Sequence, residues 1–165
     1  MGISLYYDTQ SPLTSDARQA IREAAELEAR GDQTWWSESF MLYEDDDDEE
    51  GLRGSTKIFL PGYSVAHDDH RTVDSVDDAV MAWRDTTRIL KLLQRLALGH
   101  NVVWNVQLED ESFGEIKGGD EDSAAFEKAN ELLLIAGLNP NDPSLAQRIS
   151  QIDQLHADRW QQQIS

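Results

Sequence analysis

The sequence predicts an α+β domain, an antiparallel-rich sheet of four to five strands with helices packed on it. Two patterns carry that expectation. Val102, Trp104, Val106 and Leu108 alternate with Val103, Asn105 and Gln107, the two-residue period of a half-buried strand. Val76, Val80, Trp83, Leu90, Leu93 and Ala97 recur at helical spacing, with Ile89, Leu92 and Leu96 widening the stripe.

The other elements follow in order. Ile3, Leu5 and Tyr7 alternate with Ser4, Tyr6 and Asp8, predicting a first strand. Ser11-Pro12-Leu13-Thr14 turns the chain into a helix capped near Ser15 or Asp16. Its apolar face is Ala17, Ala20, Ile21, Ala24 and Leu27, and Gly31 stops it. Residues 35–43 are rich in aromatics and read as a second strand. The strand runs into Glu44-Asp45-Asp46-Asp47-Asp48-Glu49-Glu50, seven acids that repel one another into an extended hairpin tip. Residues 55–60 form the return strand, Pro61-Gly62 ends it, and 63–73 is a polar loop.

Asp74 and Ser75 cap the long helix, with Asp77 and Asp78 in its first turn where the dipole favours anions, and Gly99 ends it. After strand 102–108, a short return strand around Glu115-Ile116-Lys117 stops at Gly118-Gly119. Asp122 or Ser123 caps a helix that buries Phe126, Ala129, Leu132, Leu133 and Ala136 and stops at Gly137. Pro143 opens the last helix, which turns Leu145, Ile149, Ile152 and Leu155 inward, and 161–165 is a polar tail. The first six elements give β-α-β-β-α-β, a ferredoxin-like core, with two helices added at the C-terminal end. No repeat or boundary divides the chain, so 1–165 reads as one domain.

Charge is the strongest compositional signal. Thirty-two acids against 14 bases give a formal net charge of -18. Such a field repels nucleic acid and anionic membranes and attracts basic partners, and it also serves solubility or adaptation to salt. No apolar stretch approaches the roughly 18 residues of a membrane span. Residues 1–6 carry neither the basic region of a targeting signal nor the Ser or Thr that a myristoylation signal needs at position 6, where Tyr6 stands. The absence of cysteine excludes disulfides, thiolate zinc sites and cysteine nucleophiles, and suits a cytoplasmic location.

Motifs for chemistry are incomplete. Asp46, Asp48, Glu50 and Gly51 fit positions 1, 3, 5 and 6 of a helix-loop-helix calcium loop, but Lys57 stands where the bidentate Glu belongs. His67-Asp68-Asp69-His70 offers two imidazoles in a loop, with no identifiable third ligand. Gly62-Tyr63-Ser64 matches only the start of a nucleophile elbow, and Gly54-Ser55-Thr56-Lys57 lacks the spacing and order of a P-loop. No cofactor or metal site is expected, and binding is favoured over catalysis.

Arg84, Arg88, Lys91 and Arg95 recur along one side of the long helix, as a solvated face, as partners for an acidic segment of the chain, or as a small anionic docking strip. Trp83 and Trp104 are in phase with apolar neighbours and predict core positions. Trp35 and Trp36 are adjacent, so in a strand one would point away from the main core, under the added helices or toward a partner. In size, acidity and lack of catalytic motifs the chain resembles immunity proteins and other small acidic inhibitors.

The leading expectation is a non-enzymatic module that docks a basic protein surface. Its surface would comprise Trp36, Glu44, Asp45, Asp46, Asp47, Asp48, Glu49, Glu50, Glu109, Asp110 and Glu111, the acids setting the association rate and the aromatic much of the affinity. The alternative is a small-ligand or metal-binding domain, with or without catalysis, with its site near the 67–70 loop.

Overall fold

Alternation of buried and exposed side chains builds the sheet. A computed structural model describes residues 3–31, 35–43, 51–58, 75–134 and 136–155. Strand β1 (Ile3–Thr9) buries Leu5 and Tyr7, β2 (Arg53–Ile58) buries Gly54, Thr56 and Ile58, and β3 (Trp104–Leu108) buries Trp104, Val106 and Leu108. Strand β4 (Glu111–Ile116) buries Phe113 and Ile116. The order is β2-β1-β3-β4, antiparallel throughout. Leu5 stands between Thr56 and Leu108, and Tyr7 between Gly54 and Val106, so the inward side chains of three strands meet in one row. The opposite face carries exposed Tyr6, Asp8, Lys57, Gln107 and Glu115, as suits an antiparallel sheet covered on one side.

Helices α1 (Ser15–Ala29), α2 (Ser75–His100) and α3 (Ser123–Leu134) supply Ile21, Ala25, Ile89, Leu93, Ala125 and Ala129 to the main core on the apolar sheet face. Helix α4 (Leu145–Leu155) packs instead into a second cluster, where Leu145 and Ile152 meet Val80 and Met81 of α2, Leu133 of α3, and Trp36. Thr14, one residue before the expected caps, holds α1 by accepting the Ala17 N–H at 3.1 Å. Helix α2 runs through Gly99 to His100. It is ended by Asn101, whose φ of 54° lets the Val102 N–H reach the Ala97 carbonyl at 3.2 Å. No helix among the described residues is long and apolar enough to cross a membrane.

The α+β class and the four-stranded antiparallel sheet stand, but the ferredoxin-like order is not reproduced in detail. Residues 35–43 are not a strand: they are irregular, with one isolated bridge between Leu42 and Gly54. The physical reason lies at Trp35, Trp36 and Ser37. All three are buried, and a strand on a one-sided sheet cannot turn three successive side chains inward. The segment still follows the edge of β2. The Glu38 N–H donates to the Lys57 carbonyl at 3.2 Å and the Tyr43 N–H to the Arg53 carbonyl at 2.9 Å. The Tyr7 hydroxyl braces it by donating to the Met41 carbonyl at 2.8 Å and accepting the Met41 N–H at 3.1 Å. Gly54 permits this approach, since a Cβ there would stand 2.1 Å from the Met41 carbonyl oxygen.

Candidate functional site

The acids singled out in the sequence have different fates. Glu44 to Glu50, the expected hairpin tip, lie outside the described residues, as do the His67–His70 loop, Ser64 and the tail 161–165. Glu109 and Asp110 form the two-residue turn between β3 and β4. Glu109 takes a φ of 50°. Its carboxylate accepts the Ser4 N–H at 2.6 Å, while its own N–H donates to the Ser4 carbonyl at 2.9 Å. Glu111 accepts from Lys128 Nζ at 2.7 Å, tying the turn to α3. Asp110 is exposed at the tip. Two of these three acids therefore hold the turn against neighbouring elements.

Trp36 does not offer an aromatic surface. It is 6 % exposed and packs in the α2–α3–α4 cluster, whereas Trp35 enters the main core. Among the described residues the exposed aromatics are Tyr6 and Tyr43. Tyr6 stands opposite Ser55 on the open sheet face, and the Tyr43 hydroxyl hydrogen-bonds to Ser55. Tyr43 immediately precedes Glu44. Among the described residues no three His, Asp or Glu side chains gather as a metal-binding group.

The cationic row on α2 is largely internal. Arg84 is 5 % exposed. Its Nη1 donates to both Asp153 oxygens at 2.8 and 3.0 Å, and its Nε donates to Asp85 Oδ1 at 3.2 Å. Asp85, fully buried, accepts the Ser37 N–H at 2.6 Å through its other oxygen. Burial raises the Asp85 pKa above the usual carboxylate value of 3.8, against the attraction of Arg84 and the Ser37 bond. Arg88 lies over the Trp35 ring, 5.9 Å from its centroid, and burial together with nearby Arg84 lowers its pKa. Arg95 Nη2 pairs with Glu28 of α1 at 2.8 Å, and Lys91 is exposed. The row thus joins α2 to α1, to α4 and to residues 35–37. Asp122 is equally structural, since its carboxylate accepts the N–H groups of Lys117 and Gly118 at 2.7 and 2.8 Å.

A concave site lies elsewhere. Between α1 and residues 39–42 opens a cleft of about 610 Å³. Arg18 and Arg22 of α1, with Arg30 at its C-terminal cap, line one wall, and buried Ala25 and Phe40 form apolar parts of the lining. Arg18 and Arg22 are half-buried, while Arg30 is exposed and reaches Glu26 only at 3.9 Å. The apolar face of α1 draws attention away from this wall. The available signal is the four-residue interval of Arg18, Arg22, Glu26 and Arg30, one stripe of the helix.

Comparison with known proteins finds no matching family model, no matching curated protein and no matching solved structure.

Proposed function

We propose that the chain is a non-enzymatic protein-binding module that docks a basic protein surface through acids around Glu44 to Glu50. The observation that carries this reading is the internal use of cations. Arg84, Arg95, Lys117, Lys128 and Arg148 each pair with an acid of the same chain. With 32 acids against 14 bases, that pairing leaves a large surplus of negative charge, concentrated in sequence at Glu44 to Glu50. Such a field accelerates encounter with a positively charged partner and disfavours nucleic acid. Tyr43 and Tyr6 take the aromatic role that buried Trp36 leaves open, since both are exposed and Tyr43 directly precedes the acidic run in sequence.

Capture from a lysate of the source cells tests the reading. The immobilised chain is compared with a variant in which Asp45, Asp46, Asp47 and Asp48 are Asn. The expected result is a basic protein retained by the native chain, released by added salt and depleted on the variant. Equal retention on both, or none on either, contradicts the proposal.

A further inference from the structure

We propose that the cleft between α1 and residues 39–42 binds a small organic oxyanion, a carboxylate or phosphate carried on an apolar body. Its volume of about 610 Å³ suits a small ligand. Arg18 and Arg22 stand one helical turn apart on the cleft wall, both half-buried. A guanidinium is weakly hydrated and presents a planar fork of donors that matches two oxyanion oxygens. Arg22 at the wall of a concavity therefore favours bound negative charge, and Arg18 adds positive charge beside it.

Arg22 meets no carboxylate among the described residues. That is unexpected in a chain where acids outnumber bases 32 to 14, and where Arg84 and Arg95 have close acidic partners. Arg30 adds a third cation at the rim, only loosely held by Glu26 at 3.9 Å. Phe40 and Ala25 supply apolar contact, and Ser39 and Gln19 supply polar groups. The apolar contact matters because the field of the whole chain opposes anions, so a bare anion should bind more weakly than one with a hydrophobic body. The site takes ligands of opposite charge to the basic partner proposed above and stands independently of it.

Titration of the isotope-labelled full chain, followed by NMR, tests the site. Phenyl phosphate and benzoate distinguish phosphate from carboxylate, while inorganic phosphate and phenol separate charge from ring. The expected result is saturable shifts confined to residues 18–30 and 39–42 with at least one of the two aromatic anions, and weaker binding of both half-probes. Arg22→Ala and Arg22→Gln should each weaken the better probe about tenfold or more with the spectrum otherwise preserved, as loss of a charge-assisted contact implies. Arg95→Ala, away from the cleft, should leave affinity unchanged. Several outcomes overturn the proposal: shifts spread over all surface cations, phenol binding as well as phenyl phosphate, or indifference to both Arg22 variants. Binding seen only after Asp45, Asp46, Asp47 and Asp48 become Asn would overturn it too, by assigning the cleft to the chain's own acids.

Discussion

Arg84 on α2 is buried and bonded to Asp85 and Asp153, whereas Arg22 on α1 is half-buried beside a cleft and meets no carboxylate among the described residues. Both belong to rows of cations at helical spacing, and the rows look alike in the sequence. What covers each helix separates them. The first half of α2 is buried almost all round, from Asp78 to Leu90, by residues 35–37, α3 and α4. A charge there survives only with partners close at hand. Among the described residues the outer wall of α1 has no such cover, and Arg22 stays half-buried at the cleft.

The largest effect that can break this comparison is expected at Arg84. Arg84→Ala leaves Asp85 buried beside an emptied space and should destabilise the fold by about 3–5 kcal/mol, read by urea denaturation. A loss under about 1 kcal/mol would mean that the pairing contributes little. Asp153→Asn keeps part of the hydrogen bonding at a position 29 % exposed, and should lose less, roughly 1–2 kcal/mol.

Asp85 sharpens the same point through pH. Its folded pKa is raised because burial penalises the charged form. Its favourable contribution is therefore fully present below the unfolded value, near 4, and is lost as pH rises through the folded value. Asp85→Asn removes that titration while retaining an acceptor for the Ser37 N–H. Relative to the variant, the native chain should gain stability as pH falls from neutral toward about 4, measured by paired urea curves. A constant difference across that range contradicts the raised pKa.

At the small end stands Arg22→Ala. A half-buried arginine without an ion partner among the described residues should change stability by no more than about 0.5 kcal/mol. A loss comparable to that of Arg84→Ala, in the same urea assay, would make Arg22 a structural residue and erase the contrast.

These contrasts also explain what the sequence could disclose. Strand β3 was legible because Trp104, Val106 and Leu108 alternate cleanly, and α2 because its apolar stripe persists for many turns. Residues 35–43 misled because aromatic richness imitates a strand, although Trp35 and Trp36 break the two-residue period. Burial of Arg84 and Asp85 was hidden, since charges read as exposed until their partners on other elements are placed. For the same reason nothing in the Glu109-Asp110-Glu111 triplet announces that Ser4 and Lys128 occupy two of its acids. The cleft was illegible as a concavity, because its second wall comes from the irregular segment at 39–42.

The central claim is that cations are drawn into the fold and its cleft while the acidic surplus meets a basic partner. Association kinetics of the captured partner on the immobilised chain test it most directly. At about 50 mM salt the native chain should associate at least roughly tenfold faster than the variant with Asn at positions 45–48, and by about 300 mM the two rates should converge. Equal association rates for the two chains at low salt would contradict the claim and leave the acidic run without a steering role.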